Sequence, residues 1–253
     1  MKRMNSLVLI VFLFLAMNSC GYSDGPYGIL KNEDFQYSLE YNLETHAFDS
    51  YSIGNVFSKK EAVFIPQSIV NIPVKTLGIE AYGGSNHLSL FDGERLYLPN
   101  SIEEWYEYYI KQISIDIFYC GKVTEFSDLV FPNYYPTIKI YIPYEEVEDY
   151  RKMYEKNGFF IENIYILRVA NVSYYLNYPD GIYEYNEFYY IDYYENGELI
   201  KYIPPIPEKI GYTFEGWYKE PECINEWNFE TDAIIFNDEH PVTKLYAKWI
   251  LVD

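Results

Sequence analysis

The sequence predicts a mainly β protein of the α+β class, with one helix near its middle. Three observations lead to this prediction. Residues Phe35 to Tyr41 alternate apolar and polar side chains with the period of two that is typical of a half-buried strand, and Ala47–Tyr51 is its expected hairpin partner. Short apolar segments that end in proline follow. In the last third of the chain the alternation continues, and many of the alternating residues are aromatic. The whole protein has 31 tyrosines among 253 residues.

The first twenty residues have the features of an export signal. Lys2 and Arg3 precede an unbroken run of ten apolar residues, Leu7 to Ala16. Such a run is too short to cross a bilayer comfortably, but it has the length of the apolar region of a signal peptide. The small residue Ser19 then stands before Cys20.

This arrangement resembles the lipobox of bacterial lipoproteins. The resemblance implies cleavage before Cys20 and attachment of lipid to its thiol. Residues 1–19 would then be the signal peptide and residues 20–32 a tether, and the protein would be exported, lipid-anchored to the bacterial cell membrane and exposed outside the cytoplasm. An ordinary signal peptide that is cut nearby is the alternative.

A proline-ended apolar segment occurs four times in the middle of the chain. The strongest copies contain Ile65-Pro66 and Leu98-Pro99, and the weaker ones are Leu129–Pro132 and Ile138–Pro143. Proline ends a ladder of strand hydrogen bonds. Because one such unit cannot bury its apolar side alone, the segments are expected to stack on one another.

These segments resemble the BspA-type leucine-rich repeat of bacterial surface proteins. The resemblance rests on Ile65–Tyr82, on Leu98–Ile102 and on Phe118-Tyr-Cys120. It implies a short, irregular leucine-rich-repeat-like solenoid over residues 33–168, in which Cys120 is a buried spacer.

Residues 143–157 are predicted to form a helix that caps this solenoid. Pro143 stands at its start, acids fill its first turn, bases lie in its last turn and Gly158 follows it. Its paired acids are expected to stabilise the helix from a solvated face. A strand over Ile161–Arg168 is expected next.

The C-terminal region contains a dense aromatic motif that has two interpretations. Its rings could line a ligand-binding box, or they could fill the core of a domain of about eighty residues, which needs large side chains to bury enough surface. The second interpretation is favoured, because Trp is seldom placed on bare surface. The motif residues are Gly211, Tyr212, Phe214, Gly216, Trp217, Trp227, Phe229, Tyr246 and Trp249.

The motif resembles the Listeria–Bacteroides repeat, also called the internalin B-repeat, over residues 171–250. This resemblance implies a small β-grasp-like domain that serves as a spacer or interaction module. The chain departs from the family in having one copy and a longer segment at Ala233–Thr243. A hairpin is also predicted here, with Asn196-Gly197 as a type I′ turn between Phe188–Tyr194 and Leu199–Ile203.

Charge and side-chain chemistry narrow the possible partners. The net charge of −19 repels phosphate backbones, so no nucleic-acid partner is expected. No catalytic residue, cofactor or metal ligand is predicted, because the three histidines are isolated and no phosphate-binding loop is present. A weak calcium site at Asp232, Asp238 and Glu239 is less favoured than a solvated loop. Cys120 and Cys223 are expected to be buried free thiols.

The sequence therefore predicts a lipid-anchored bacterial cell-surface protein that acts without catalysis, as a protein-interaction or adhesion module. Its partners would be the membrane, through the lipid on Cys20, and an extracellular protein. The alternatives are a glycan-binding surface lipoprotein, which would use exposed aromatic rings and acids, and a secreted hydrolase.

Overall fold

The computed structural model describes residues 30–77, 93–105, 115–121, 125–126, 138–156, 165–179 and 188–252. The predicted signal peptide, Cys20 and the weak repeat at Leu129–Pro132 lie outside these residues. The described part of the chain is mainly β, which confirms the predicted class. Its first strand is Leu30–Lys31, so these two residues of the predicted tether, 20–32, already belong to a sheet.

The described residues form sixteen strands, one 3-10 turn and one α-helix. The helix, α1, is Val147–Lys156, and the 3-10 turn, Tyr144–Glu146, leads into it. In chain order the strands are β1 (Leu30–Lys31), β2 (Phe35–Asn42), β3 (Ala47–Val56), β4 (Ala62–Phe64), β5 (Ser68–Ile69), β6 (Ile72–Leu77), β7 (Arg95–Leu98), β8 (Glu104–Trp105), β9 (Asp116–Tyr119), β10 (Glu125–Phe126), β11 (Ile138–Ile142), β12 (Tyr165–Val169), β13 (Val172–Tyr175), β14 (Phe188–Asp192), β15 (Tyr212–Tyr218) and β16 (Thr243–Leu251).

The first sheet joins an antiparallel part to a parallel part. Strands β1, β2 and β3 are antiparallel neighbours, which confirms the hairpin predicted for Phe35–Tyr41 and Ala47–Tyr51. Strands β6, β8 and β10 then extend the sheet in parallel from β3, and β5 pairs with β6. The change to parallel pairing requires the chain to cross over between strands, as repeated units do.

The second sheet contains the three proline-ended segments that the structure describes, those before Pro66, Pro99 and Pro143, and it is parallel throughout. Its order is β12-β11-β9-β7-β4. Successive side chains of a strand point to opposite faces, and the strands pair in register, so each face carries a row of similar residues. One row is aliphatic: Val63, Leu96, Ile117 and Ile140. The other is aromatic: Phe64, Tyr97, Phe118 and Tyr141.

The aliphatic row packs in a cluster with buried residues of the first sheet and of α1. Ile53, Val74 and Leu77 of the first sheet are fully buried in this cluster. The helix predicted for residues 143–157 is present, and Tyr150 anchors it by donating a hydrogen bond to the carbonyl oxygen of Gly121. We call residues 30–156, with β12, the N-terminal region.

A third sheet forms the C-terminal region, with the order β14-β13-β16-β15. Strands β13 and β16 are parallel, and each has an antiparallel neighbour on its other side. The hairpin predicted around Asn196-Gly197 is wrong. Gly197 does occupy a turn, with φ of 91°, but β14 pairs with β13, and Leu199 forms only an isolated bridge to Ala233.

The two regions share one hydrophobic cluster. The aromatic row of the second sheet is packed together with buried rings of β13, β14 and β15. This arrangement has a physical reason, because a parallel sheet is stable when both of its faces are covered. The C-terminal region covers the face that the first sheet leaves open.

Candidate functional site

Four rings of the second sheet form a continuous stack beneath the C-terminal region. Phe64 and Tyr97 have ring centroids 4.0 Å apart, Tyr97 and Phe118 4.7 Å, and Phe118 and Tyr141 4.6 Å. The planes are nearly parallel, with angles of 9°, 14° and 13°. Tyr193, from the C-terminal region, meets the last ring at 5.4 Å. We call the four rings of Phe64, Tyr97, Phe118 and Tyr141 the aromatic stack.

A buried ion pair joins the two regions beside the stack. The Nη1 atom of Arg95 lies 2.6 Å from Oδ1 of Asp192, whose side chain is 1% exposed. Tyr97 donates its hydroxyl hydrogen to Oδ2 at 2.9 Å, and the backbone N–H of Tyr193 donates to Oδ1 at 2.8 Å. The guanidinium also lies 5.1 to 5.2 Å from the ring centres of Phe118, Tyr194 and Tyr202. Both charges are thus compensated on several sides.

Burial raises the pKa of Asp192 from its ordinary value of 3.8 to about 7, although Arg95 and the hydrogen bonds act in the opposite direction. The loss of hydration is the largest influence, because a carboxylate is far less stable away from water. Sequence reasoning missed this pair. The available signal was the lone acid at the end of the apolar strand β14, since a buried acid requires a partner.

Further contacts cross between the regions. Tyr190 donates a hydrogen bond to the carbonyl oxygen of Ile65 at 2.6 Å. Cys120 is fully buried, as the sequence predicts, and its thiol lies 3.7 Å from the carbonyl oxygen of Tyr189. Burial raises the pKa of this thiol, which disfavours the thiolate form that reacts as a nucleophile. Cys223 differs from the prediction, because it is only partly buried.

The paired acids before α1 have a more specific role than the predicted one. Glu145 accepts a hydrogen bond from the hydroxyl of Tyr175 at 3.1 Å, and its carboxylate lies 2.7 Å from Nζ of Lys244. It therefore connects the 3-10 turn to the third sheet. The neighbouring Glu148 matches the expectation of a solvated acid, with a side chain 73% exposed.

The C-terminal aromatic motif is largely used for packing. Trp217 and Trp227 are buried, which supports the core interpretation for them. The remaining aromatic members are partly buried, and Gly216 lies at an irregularity in the pairing of β15 with β16. Gly211 has φ of 82°, a conformation that favours glycine. The partly buried rings are Tyr212, Phe214, Phe229, Tyr246 and Trp249.

The repeat residues named by the sequence are likewise structural. Ile65, Leu98 and Cys120 have no exposed surface. Pro66 and Pro99 follow strands β4 and β7, so the prolines stand where the sequence places the strand ends.

An open cleft lies where the two regions meet, with a volume of about 470 Å³. We call it the junction cleft. Tyr144 of the 3-10 turn and Tyr193 both line it. Part of the lining belongs to the segment Ala233–Thr243, which the sequence identified as longer than usual in the family it resembles. The lining residues are Tyr144, Val169, Ala170, Asn171, Tyr193, Phe236, Asn237, Asp238 and Pro241.

Hydrogen bonds fix both the floor and the loop of the junction cleft. The side-chain amide of Asn171 donates to the carbonyl oxygen of Tyr194 at 2.7 Å and accepts from its N–H at 3.1 Å. The side-chain oxygen of Asn237 accepts from the N–H groups of Glu239 and His240 at 2.9 and 2.8 Å. The cleft is therefore preformed, as most small-molecule sites are.

The three acids weighed for calcium are not brought together. Asp232 pairs with Lys219, whose Nζ lies 2.9 Å away, whereas Asp238 lines the junction cleft. Among the residues that the structure describes, no group of three or more His, Cys, Asp or Glu side chains is arranged to hold a metal ion. Likewise, the described part of the chain has no helix with the length and apolarity needed to cross a membrane.

Two relatives resemble a short part of the chain. Both are proteins of Evansella cellulosilytica with "membrane protein" in their names, and the first is also called Gly-rich. They are 44% and 41% identical over 46 residues, which is 18% of this chain. The matched stretch is 5% of the first relative and 6% of the second, so this chain corresponds to a small fraction of either.

The C-terminal region matches a known family model. Residues 172–248 match the family model of the Listeria–Bacteroides repeat domain, and these residues include all four strands of the third sheet up to the last part of β16. The match confirms the repeat predicted from the motif at Gly211–Tyr218. The C-terminal region of this chain is therefore similar to the repeats of that family.

Proposed function

We propose that this chain is an exported bacterial surface lipoprotein, anchored through Cys20, that acts without catalysis as a protein-interaction or adhesion module. The observation that carries the proposal is the Listeria–Bacteroides repeat match at residues 172–248, because the repeat indicates a surface-associated repeat protein. The lipobox-like sequence before Cys20 and the names of the two Evansella relatives support a membrane location.

We further propose that the second sheet belongs to a short leucine-rich-repeat-like solenoid. Its strands follow one another in chain order, pair in parallel and carry matching rows of side chains. These are properties of stacked repeats, in which each unit contacts its neighbours. The C-terminal region covers the aromatic face of this sheet, so a partner protein would bind elsewhere on the surface.

The anchor is tested by producing the full chain in a bacterium that processes lipoproteins, in medium with a clickable fatty acid. We expect the wild type and Cys223→Ser to carry the label and to sediment with membranes. Cys20→Ser should lose the label, because the proposed acceptor thiol is absent. Lipid label that persists on Cys20→Ser would overturn the anchor assignment.

The binding function is tested by presenting the full chain to arrays of extracellular matrix proteins and of glycans. Saturable binding to a protein, without competition from free sugar, is the expected result. Turnover of a polysaccharide or peptide library, lost on heat denaturation of the protein, would contradict the non-catalytic assignment.

Glycan binding is a second candidate function, and the junction cleft favours it. Aromatic rings and a carboxylate face the same preformed space there. The two candidates differ in their expected competitor, since free sugar would displace a glycan but leave a protein partner bound.

A further inference from the structure

We propose that the junction cleft binds a short, neutral oligosaccharide. The proposal rests on the second candidate function and gives it a site and a ligand class. It is independent of the lipid anchor and of any protein partner. Its support comes from the rings, the polar atoms, the charge and the rigidity of the cleft.

Three aromatic rings provide the apolar part of the site. Tyr144 is 47% exposed, and Tyr193 and Phe236 are partly exposed. The face of an aromatic ring carries partial negative charge, which attracts positively polarised C–H groups. A sugar ring presents such C–H groups on its apolar face. These rings therefore suit a sugar better than they suit a uniformly polar ligand.

Residues that line the cleft also carry polar groups without a protein partner. Among the residues that the structure describes, neither the hydroxyl of Tyr144 nor the carboxylate of Asp238 has a hydrogen-bond partner. The side-chain oxygen and the backbone N–H of Asn237 are used within its own loop, which leaves the side-chain N–H groups available as donors. A ligand with many hydroxyl groups can donate to the carboxylate and accept from the amide.

The charge of the lining selects against anions. The cleft contains the acid Asp238 and is lined by no Lys or Arg among the described residues. The whole chain carries a net charge of −19. Sialylated, sulfated and uronate-containing sugars would meet unfavourable electrostatics at this site. The expected ligand is therefore neutral.

Hydrogen bonds and an ion pair within the protein already hold the residues that line the cleft. The carboxylate of Glu145 fixes the turn that carries Tyr144, through Tyr175 and Lys244. The backbone of Tyr193 is held by Asp192. Little ordering is required on binding, which favours affinity at a small site. A volume of about 470 Å³ lies in the range of small-ligand pockets and suits an oligosaccharide of a few units.

The test is a calorimetric titration of the full chain with neutral gluco-, manno-, galacto- and N-acetylglucosamine oligomers. We expect one of these series to bind. Phe236→Ala and Asp238→Asn should each weaken that binding about tenfold, because they remove a ring contact or a charged hydrogen-bond acceptor. Acidic oligosaccharides should bind no more tightly than the neutral ones.

Two matched variants control for general effects. Phe48→Ala removes a partly exposed ring, and Glu230→Gln neutralises an exposed acid of the C-terminal region; neither residue lines the cleft. Both should bind like the wild type. Near-UV circular dichroism and thermal midpoints should show that the cleft variants are folded.

Three outcomes would overturn the proposal. The first is the absence of binding by every neutral series, and the second is sugar binding that the cleft variants leave unchanged. The third is occupation of the cleft by a peptide, such as a proline-rich one, that Phe236→Ala abolishes while sugars do not compete. None of these outcomes alters the labelling expected for Cys20 or the array test for protein partners.

Discussion

The N-terminal and C-terminal regions fill their hydrophobic cores with different kinds of side chain. The core between the first two sheets is mostly aliphatic, whereas the cluster around the third sheet is mostly aromatic. A small sheet needs large side chains to bury enough surface. The aromatic cluster nevertheless includes four rings of the N-terminal region, so the smaller region is completed by the larger one. The comparison teaches that the C-terminal repeat is joined to its neighbour by a shared core.

The largest expected effect comes from removing the centre of that shared core. Tyr97 is fully buried and stacks between Phe64 and Phe118. Tyr97→Ala should lower the free energy of unfolding by about 4 kcal/mol. Because the residue belongs to the N-terminal region but packs in the aromatic cluster, both regions should lose stability together.

Denaturant unfolding followed by far-ultraviolet circular dichroism and by tryptophan fluorescence checks this prediction. Three of the four tryptophans, Trp217, Trp227 and Trp249, lie in the C-terminal region. Both probes should shift to the same lower midpoint, whereas Phe48→Ala should change stability by less than about 1 kcal/mol. A fluorescence midpoint that stays at the wild-type value would show that the two regions unfold independently.

A smaller effect, and a dependence on pH, should follow from separating the buried ion pair. Arg95→Met leaves the carboxylate of Asp192 buried without its cation, which should cost about 3 kcal/mol at pH 8. At pH 5 the cost should be much smaller, because the carboxyl group can then take up a proton. Thermal unfolding of both proteins at the two pH values measures the difference.

The pKa of Asp192 also determines how the stability of the wild type changes with pH. This pKa is raised from 3.8 to about 7, so between these values the folded state binds more protons than the unfolded state. The contribution of Asp192 to stability is therefore present below pH 4 and is lost as the pH rises to 7. Relative to Asp192→Asn, the wild type should lose stability through this window and change little above it. A relative gain in stability with rising pH would contradict the assignment.

The smallest expected effects come from removing two buried tyrosine hydroxyls. One forms a hydrogen bond between the two regions, and the other has no hydrogen-bond partner among the described residues. Tyr190→Phe removes the hydrogen bond to Ile65 and should cost about 1 kcal/mol. Tyr174→Phe is the matched change within the C-terminal region, because its buried hydroxyl lacks a hydrogen-bond partner among the described residues. It should be neutral or slightly stabilising. Equal losses in the two variants, by denaturant unfolding, would rule out a special role for the joining hydrogen bond.

Local sequence signals were sufficient for several elements. The alternation at Phe35–Tyr41 predicted β2, and the turn residues around the middle helix predicted α1 to within a few residues. The motif at Gly211–Tyr218 predicted a strand of the third sheet and the burial of Trp217. These features depend on neighbours in the chain, on hydrophobic period and on end residues, all of which a single sequence contains.

These local signals could not predict which distant segments of the chain pair with one another. Asn196-Gly197 favours a local hairpin, but Gly197 and Glu198 instead exchange backbone hydrogen bonds with Ile234. The run Leu96-Tyr97-Leu98 is apolar on both faces, which is consistent with a strand covered twice, yet nothing in it identifies the cover. The junction cleft could not be predicted either, because its lining residues come from four separate parts of the chain.

The aromatic stack has an optical consequence. Rings held close together in fixed, asymmetric surroundings give strong near-ultraviolet circular dichroism, and this signal disappears when fixed packing is lost even if the strands persist. In this protein the stack lies at the contact between the regions, so the near-ultraviolet band would report on that contact without any added label. The protein thus contains its own spectroscopic probe of whether its two regions are docked.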